Sequence, residues 1–98
     1  MEEYIRKIID VCTEAEPAQT MMFDNVGKYI LCVEKDEKYV KGIDDMNKVN
    51  IAVYEKNAVI RHGRFKDLLI CDREGIHVSD LYVVLKTLTK NTEELSKQ

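Results

Sequence analysis

Three groups of residues in this 98-residue chain have the types that chemistry uses. The first is LLICDREGIHVSD, residues 68–80, where His77 follows Cys71 by six positions. A thiol within hydrogen-bond reach of an imidazole is the nucleophile–base pair of a thiol enzyme. Whether the two meet depends on the turn between them. A four-residue loop, Asp72 to Gly75, between strands 68–71 and 76–78 gathers Leu69, Cys71, Ile76 and Val78 on one apolar face and sends His77 to the other. A three-residue loop brings Cys71 and His77 together, but it sets Asp72 across from Ile76 and mixes polar with apolar groups on the core side. Patterning favours the first register, with Gly75 as the left-handed turn residue and Cys71 in the core. His62 is a second possible partner for Cys71, reachable only if its strand neighbours that of Cys71.

The second group is Arg61-His62-Gly63-Arg64-Phe65-Lys66. Two arginines, a lysine and a histidine around a glycine can meet phosphate oxygens, and Phe65 can stack on a base. Arg61, His62, Arg64 and Lys66 are therefore the candidate nucleic-acid contacts, although a short basic loop is more often merely solvated.

The third group joins Asp44 or Asp45 with Glu55 and Lys56, the residue types of metal-dependent nucleases. Those sites need acid, spacer and lysine on one strand face, whereas Glu55 and Lys56 are adjacent and point apart. The acid pairs Glu2-Glu3, Asp44-Asp45 and Glu93-Glu94 suggest phosphate mimicry, but fifteen bases interleaved with eighteen acids break any continuous negative stripe. There is no CxxC or HxxxH pair for zinc and no glycine-rich phosphate loop. No metal, no cofactor and no catalytic residue are expected on these grounds.

The elements that must position these residues are legible from their periodicity. Residues 2–15 place Ile5, Ile8, Ile9, Cys12 and Ala15 at helical spacing, with Glu2 and Glu3 in the first turn and Pro17 beyond the end. Strands at 20–23 and 28–34 flank Asp24-Asn25-Val26-Gly27, which has the chemistry of a hairpin turn. In the second of them Tyr29, Leu31 and Val33 point one way and Ile30 and Cys32 the other, as in a strand covered on both sides. A second hairpin is expected from strands 49–55 and 58–62 around Lys56-Asn57. Residues 79–96 form the closing helix, with Ser79 as N-cap, Asp80 in the first turn, and Leu81, Val84, Leu85, Leu88 and Leu95 on one stripe.

Together these predict one α+β domain over residues 1–98. Its antiparallel sheet has about five or six strands, in two or three hairpins, flanked by an N-terminal and a C-terminal helix. Both helices have a single apolar stripe and most simply share one sheet face. The opposite face then carries Ile30, Cys32, Ala52, Tyr54 and Val59, more apolar than solvation requires.

Residues 35–48 are the long polar stretch, with Tyr39, Val40, Ile43 and Met46 scattered through it. These apolar residues either pin the loop to the core or form a contact patch.

Charge is uneven along the chain. Residues 1–27 sum to −4, residues 28–66 to +3 and residues 67–98 to −2, for a net −3. The acidic N-terminus has no apolar core of the signal-peptide kind, and no apolar run approaches a membrane span. Three scattered cysteines fit reduced thiols in the cytoplasm.

The expectation is a small acidic, non-catalytic interaction protein: a regulator, inhibitor or immunity-type binder that meets a protein partner or a copy of itself. Its contact residues would be Tyr39, Val40, Ile43, Met46 and Tyr54. The alternatives are nucleic-acid binding through residues 61–66 and thiol chemistry at Cys71 with His62 or His77.

Overall fold

A computed structural model of the chain describes residues 2–56 and 69–96. Helix α1, Glu2–Glu14, buries Ile5, Ile8 and Cys12, the stripe its spacing dictates. Strands β1, Thr20–Val26, and β2, Tyr29–Lys35, form a hairpin. A loop with one short 3₁₀ turn, Asp44–Met46, leads to β3, Lys48–Glu55. Strand β4, Leu69–His77, runs into a 3₁₀ turn, Val78–Asp80, and helix α2, Leu81–Ser96. The sheet is antiparallel in the order β1-β2-β3-β4.

Four strands stand among the described residues where five or six were expected, and the hairpins differ. The turn between β1 and β2 is Gly27-Lys28, with Gly27 at φ 60° and Val26 paired to Tyr29. Asp24 and Asn25, expected in that turn, lie in an irregularity of β1 between Phe23 and Val26. The predicted strand 58–62 lies outside the described residues, and β3 is flanked by β2 and β4.

Residues 69–77 are one strand, not two strands joined by a turn. Cys71 pairs with Val53 and Ile76 with Val49, so Cys71 and Ile76 are not opposite each other. Gly75 takes its positive φ of 67° at a bulge: Arg73 faces Ile51 and Ile76 faces Val49, leaving Glu74 and Gly75 against Asn50 alone. The Asn50 side chain accepts a hydrogen bond from the Gly75 amide at 3.0 Å, which holds the bulge.

Both helices pack on one sheet face. Ile5, Ile8, Cys12, Leu81 and Leu85 meet Leu31, Val33, Val49, Ile51 and Val53 in a single core cluster. At the α1 N-terminus Glu2 accepts hydrogen bonds from Tyr82 (2.6 Å) and Lys86 (2.7 Å), which ties the first turn of α1 to α2. The Lys86 contact, then that of Tyr82, hold the Glu2 carboxyl below its ordinary range. Helix α2 begins at Leu81, two residues after the expected start, because residues 78–80 form the tighter 3₁₀ turn first.

Candidate functional site

The thiol–imidazole pair does not form between Cys71 and His77. They lie six residues apart on one continuous strand, roughly 20 Å at about 3.3 Å per residue. His77 is a structural link instead. Its Nδ1 accepts from the Ser79 amide at 3.2 Å and lies 2.8 Å from the Ser79 hydroxyl, while Nε2 is 2.7 Å from the Asp44 carbonyl oxygen. An amide can only donate, so the network assigns the ring proton to Nε2, which donates to Asp44. One imidazole thereby caps the turn before α2 and fastens the β2–β3 loop. His62, Arg61, Arg64 and Lys66 lie outside the described residues.

The acid–lysine group is also dispersed. Asp44 and Asp45 precede β3 and Glu55 and Lys56 end it, so the length of the strand separates them. Among the described residues no three His, Cys, Asp or Glu side chains are placed to hold a metal ion. Cys12 is fully buried and its thiol is pushed up to about 11 by burial, against a smaller pull from Lys35. Burial also raises the Cys32 thiol. Neither has the lowered pKa that a nucleophilic cysteine needs.

The strongest polar centre was not among the candidates. Lys35, the last residue of β2, has no exposed surface. Its ammonium donates to the carbonyls of Cys12 (2.8 Å) and Thr13 (3.0 Å) and to the Asn47 side-chain oxygen, which uses all three protons. It also lies 4.1 Å from the centre of the Tyr39 ring. Helix α1 has no basic residue in its last turn, so a lysine from the sheet supplies the cation that its C-terminal carbonyls and dipole favour. Burial pushes the Lys35 pKa down, with Cys12 and Glu14 opposing. Two signals announced this residue: Lys35 shares the parity of Leu31 and Val33, and α1 lacks its own base.

The five expected partner contacts divide into two places. Tyr39 and Met46 are half-buried, whereas Val40 and Ile43 are 51% and 46% exposed on the loop. Tyr39 packs on Lys35 at the end of α1, on the helix side of the sheet. Tyr54 stands near the other end of β3, six residues or roughly 20 Å from Lys48.

Tyr54 belongs instead to the sheet face on which, among the described residues, no helix packs. There the register sets Ile30 beside Tyr54, and Met22 beside Cys32 and Ala52. Ile30, Cys32, Ala52 and Tyr54 were read to this face from alternation; Val59 lies outside the described residues. Met22, 57% exposed, and Ile70, 48% exposed, join it from β1 and β4. Beyond them the face turns polar, with Thr20, Glu34 and Asn50 in register and an Asn50–Glu34 hydrogen bond of 3.4 Å. A shallow depression of about 240 Å³ lies among Cys32, Ala52, Thr20, Asn50 and Asp72. An apolar centre with a polar margin is the layout of a protein-contact surface.

No family model, curated protein or solved structure matches the chain. Among the described residues no helix is long and apolar enough to cross a membrane.

Proposed function

We propose that this chain is a small non-catalytic interaction module that binds another protein surface through the sheet face opposite α1 and α2. The carrying observation is the difference in cover among the described residues: α1 and α2 pack on one face, while Met22 and Ile70 stand exposed on the other beside the half-buried Cys32 and Ala52. Burying such a row of apolar side chains is worth about 25 cal/mol per Å² of apolar surface removed from water, the usual driving term of association. Val40 and Ile43 on the loop form a second, smaller apolar pair. A regulator or inhibitor that occupies its target by surface contact needs no catalytic group, which fits this arrangement.

The test is capture of partners from nuclease-treated host lysate by tagged wild type, Tyr54→Ala and Ala52→Lys, with Val83→Lys on α2 as the control. Residues at the centre of a contact lower capture by about tenfold or more when changed, and a residue outside it leaves capture intact. Equal capture by all four proteins would remove the sheet face from the reading. Capture that disappears with nuclease treatment would move the binding activity to Arg61, Arg64 and Lys66.

A further inference from the structure

The sheet face opposite α1 and α2 ends at two strand edges of opposite character. In the sheet order β1 stands at one end and β4 at the other, and among the described residues no strand pairs with the outer edge of either. Strand β4 presents Asp72, Arg73 and Glu74 in succession, all exposed, followed by the bulge at Gly75. Consecutive charges and a bulge are the usual protection of an edge against pairing. Strand β1 has no such protection over its first four residues. Thr20, Met21, Met22 and Phe23 carry no charge and no proline, and they pair regularly with Glu34, Val33, Cys32 and Leu31 before the irregularity begins.

We propose that β1 is a self-association edge, to which a second copy of this chain adds its own β1 in antiparallel register. The inference rests on the interaction reading above and names the partner of that surface. Charge and symmetry select a second copy. Two identical strands paired antiparallel lie about a two-fold axis, so residues near the axis face their own mates. On β4 such an axis sets Arg73 against Arg73, or an acid against the same acid, and like charges directly opposite are destabilising. On β1 the mates are uncharged, and the nearest charge, Asp24, sits in the irregular part of the strand.

An axis perpendicular to the sheet also keeps the helices of both copies on the same side. Pairs must then match in parity, with Met22 against Met22 or Met21 against Met21. The first brings two exposed thioethers together; the second leaves them diagonal, about 7–8 Å apart. In either case the two sheets join edge to edge, and their faces opposite α1 and α2 become one surface of twice the width.

Light scattering over a dilution series of wild type, Met22→Lys and Met22→Glu tests this directly. Wild type approaches twice the chain mass as concentration rises. Each charged variant stays at the mass of one chain with an unchanged circular dichroism spectrum, and their equimolar mixture recovers the doubled mass. Wild type that remains a single chain at every concentration overturns the proposal. So do variants that keep the doubled mass, or a mixture that fails to recover it. Ala52→Lys, two strands in from this edge, keeps the doubled mass. Loss of capture by that variant therefore reports on the face, whereas mass reports on the edge.

Discussion

The two faces of this sheet are made by the same strands, yet they follow different rules. Under the helices every inward position of β2 is closed: Leu31 and Val33 are fully packed, and Lys35, next in the alternation, is buried with each ammonium proton in use. One residue away in each case, Cys32 and Glu34 look out on the helix-free side, beside the exposed Met22 and Thr20. A buried polar group is tolerated only when its hydrogen bonds are complete, so the closed face is specified down to single atoms. The open face carries no such requirement. Ile30 is buried there too, but Met22 and Ile70 are exposed, and a substitution at either of these should leave folding alone.

The sharpest way to break that comparison is at Lys35. Lys35→Met keeps the length of the side chain but leaves the Thr13 carbonyl and the Asn47 oxygen without this donor, and the Cys12 carbonyl with only the 3.4 Å bond from the Ala15 amide. Each orphaned buried acceptor costs about 1–3 kcal/mol, partly offset because no ammonium need be desolvated, so a net loss of about 2–4 kcal/mol is expected. Urea denaturation measures it, and hydrogen exchange should show the loss concentrated at the end of α1 and in the loop around Tyr39. A loss below about 0.5 kcal/mol would mean that the centre is not a structural requirement, and the contrast between the faces would lose its main support.

Lys35 also marks where the sequence is readable and where it is not. Helix α1 and the alternation of β2 were legible because apolar spacing is a local signal, and that alternation correctly assigned Ile30, Cys32, Ala52 and Tyr54 to the open face. Lys35 obeys the same alternation but does not stand out in it, because a lysine is ordinarily an exposed residue and its acceptors lie 22 and 23 residues earlier on α1 and 12 residues later at Asn47. Asp72-Arg73-Glu74-Gly75 misled for a related reason. Acids followed by glycine have turn chemistry, yet β3 supplies a long-range partner and Asn50 holds the glycine in a bulge. Patterning turns His77 away from Cys71 but says nothing of what it does instead, which is decided by Ser79 and the distant Asp44 carbonyl. Local periodicity thus set the parity of β2 and β3, but not of β4, where Leu69 pairs with Tyr54 and Cys71 with Val53. Pairing partners and polar acceptors came from contacts that no local pattern contains.

A second effect, of about 2–3 kcal/mol at most, sharpens the closed side through pH. The Cys12 thiol is raised from 9.0 to about 11 by burial. The unfolded chain therefore loses this proton first. Stability from the neutral thiol is complete below pH 9 and is lost as pH climbs from 9 toward 11, at 1.36 kcal/mol per unit. Lys35 works the other way. Its lowered folded pKa means that the unfolded chain holds the proton longer, so its contribution rises with pH toward the ordinary value of 10.5. Comparing Cys12→Ala with wild type below pH 9 and near pH 11 separates the two. The variant should start less stable and then lose less than wild type over this interval. Parallel pH profiles would mean that the thiol ionises in the fold as readily as outside it.

The smallest expected effect is the most informative for the open face. Met22→Lys replaces an exposed methionine on an edge strand, and the lysine stem can lie along the sheet with its ammonium in water. Measured at the dilute end of the series, where each chain stands alone, the change should leave folding stability within about 0.5 kcal/mol of wild type. At high concentration the same variant should be the less stable protein, because wild type alone gains stability by mass action from pairing. A large loss already present in the dilute chain would mean that Met22 is packed by its own chain and that the face is no free surface. A small loss at both ends would leave Met22 exposed but without a partner. Only a difference that grows with concentration joins the exposed residues of that face to the edge.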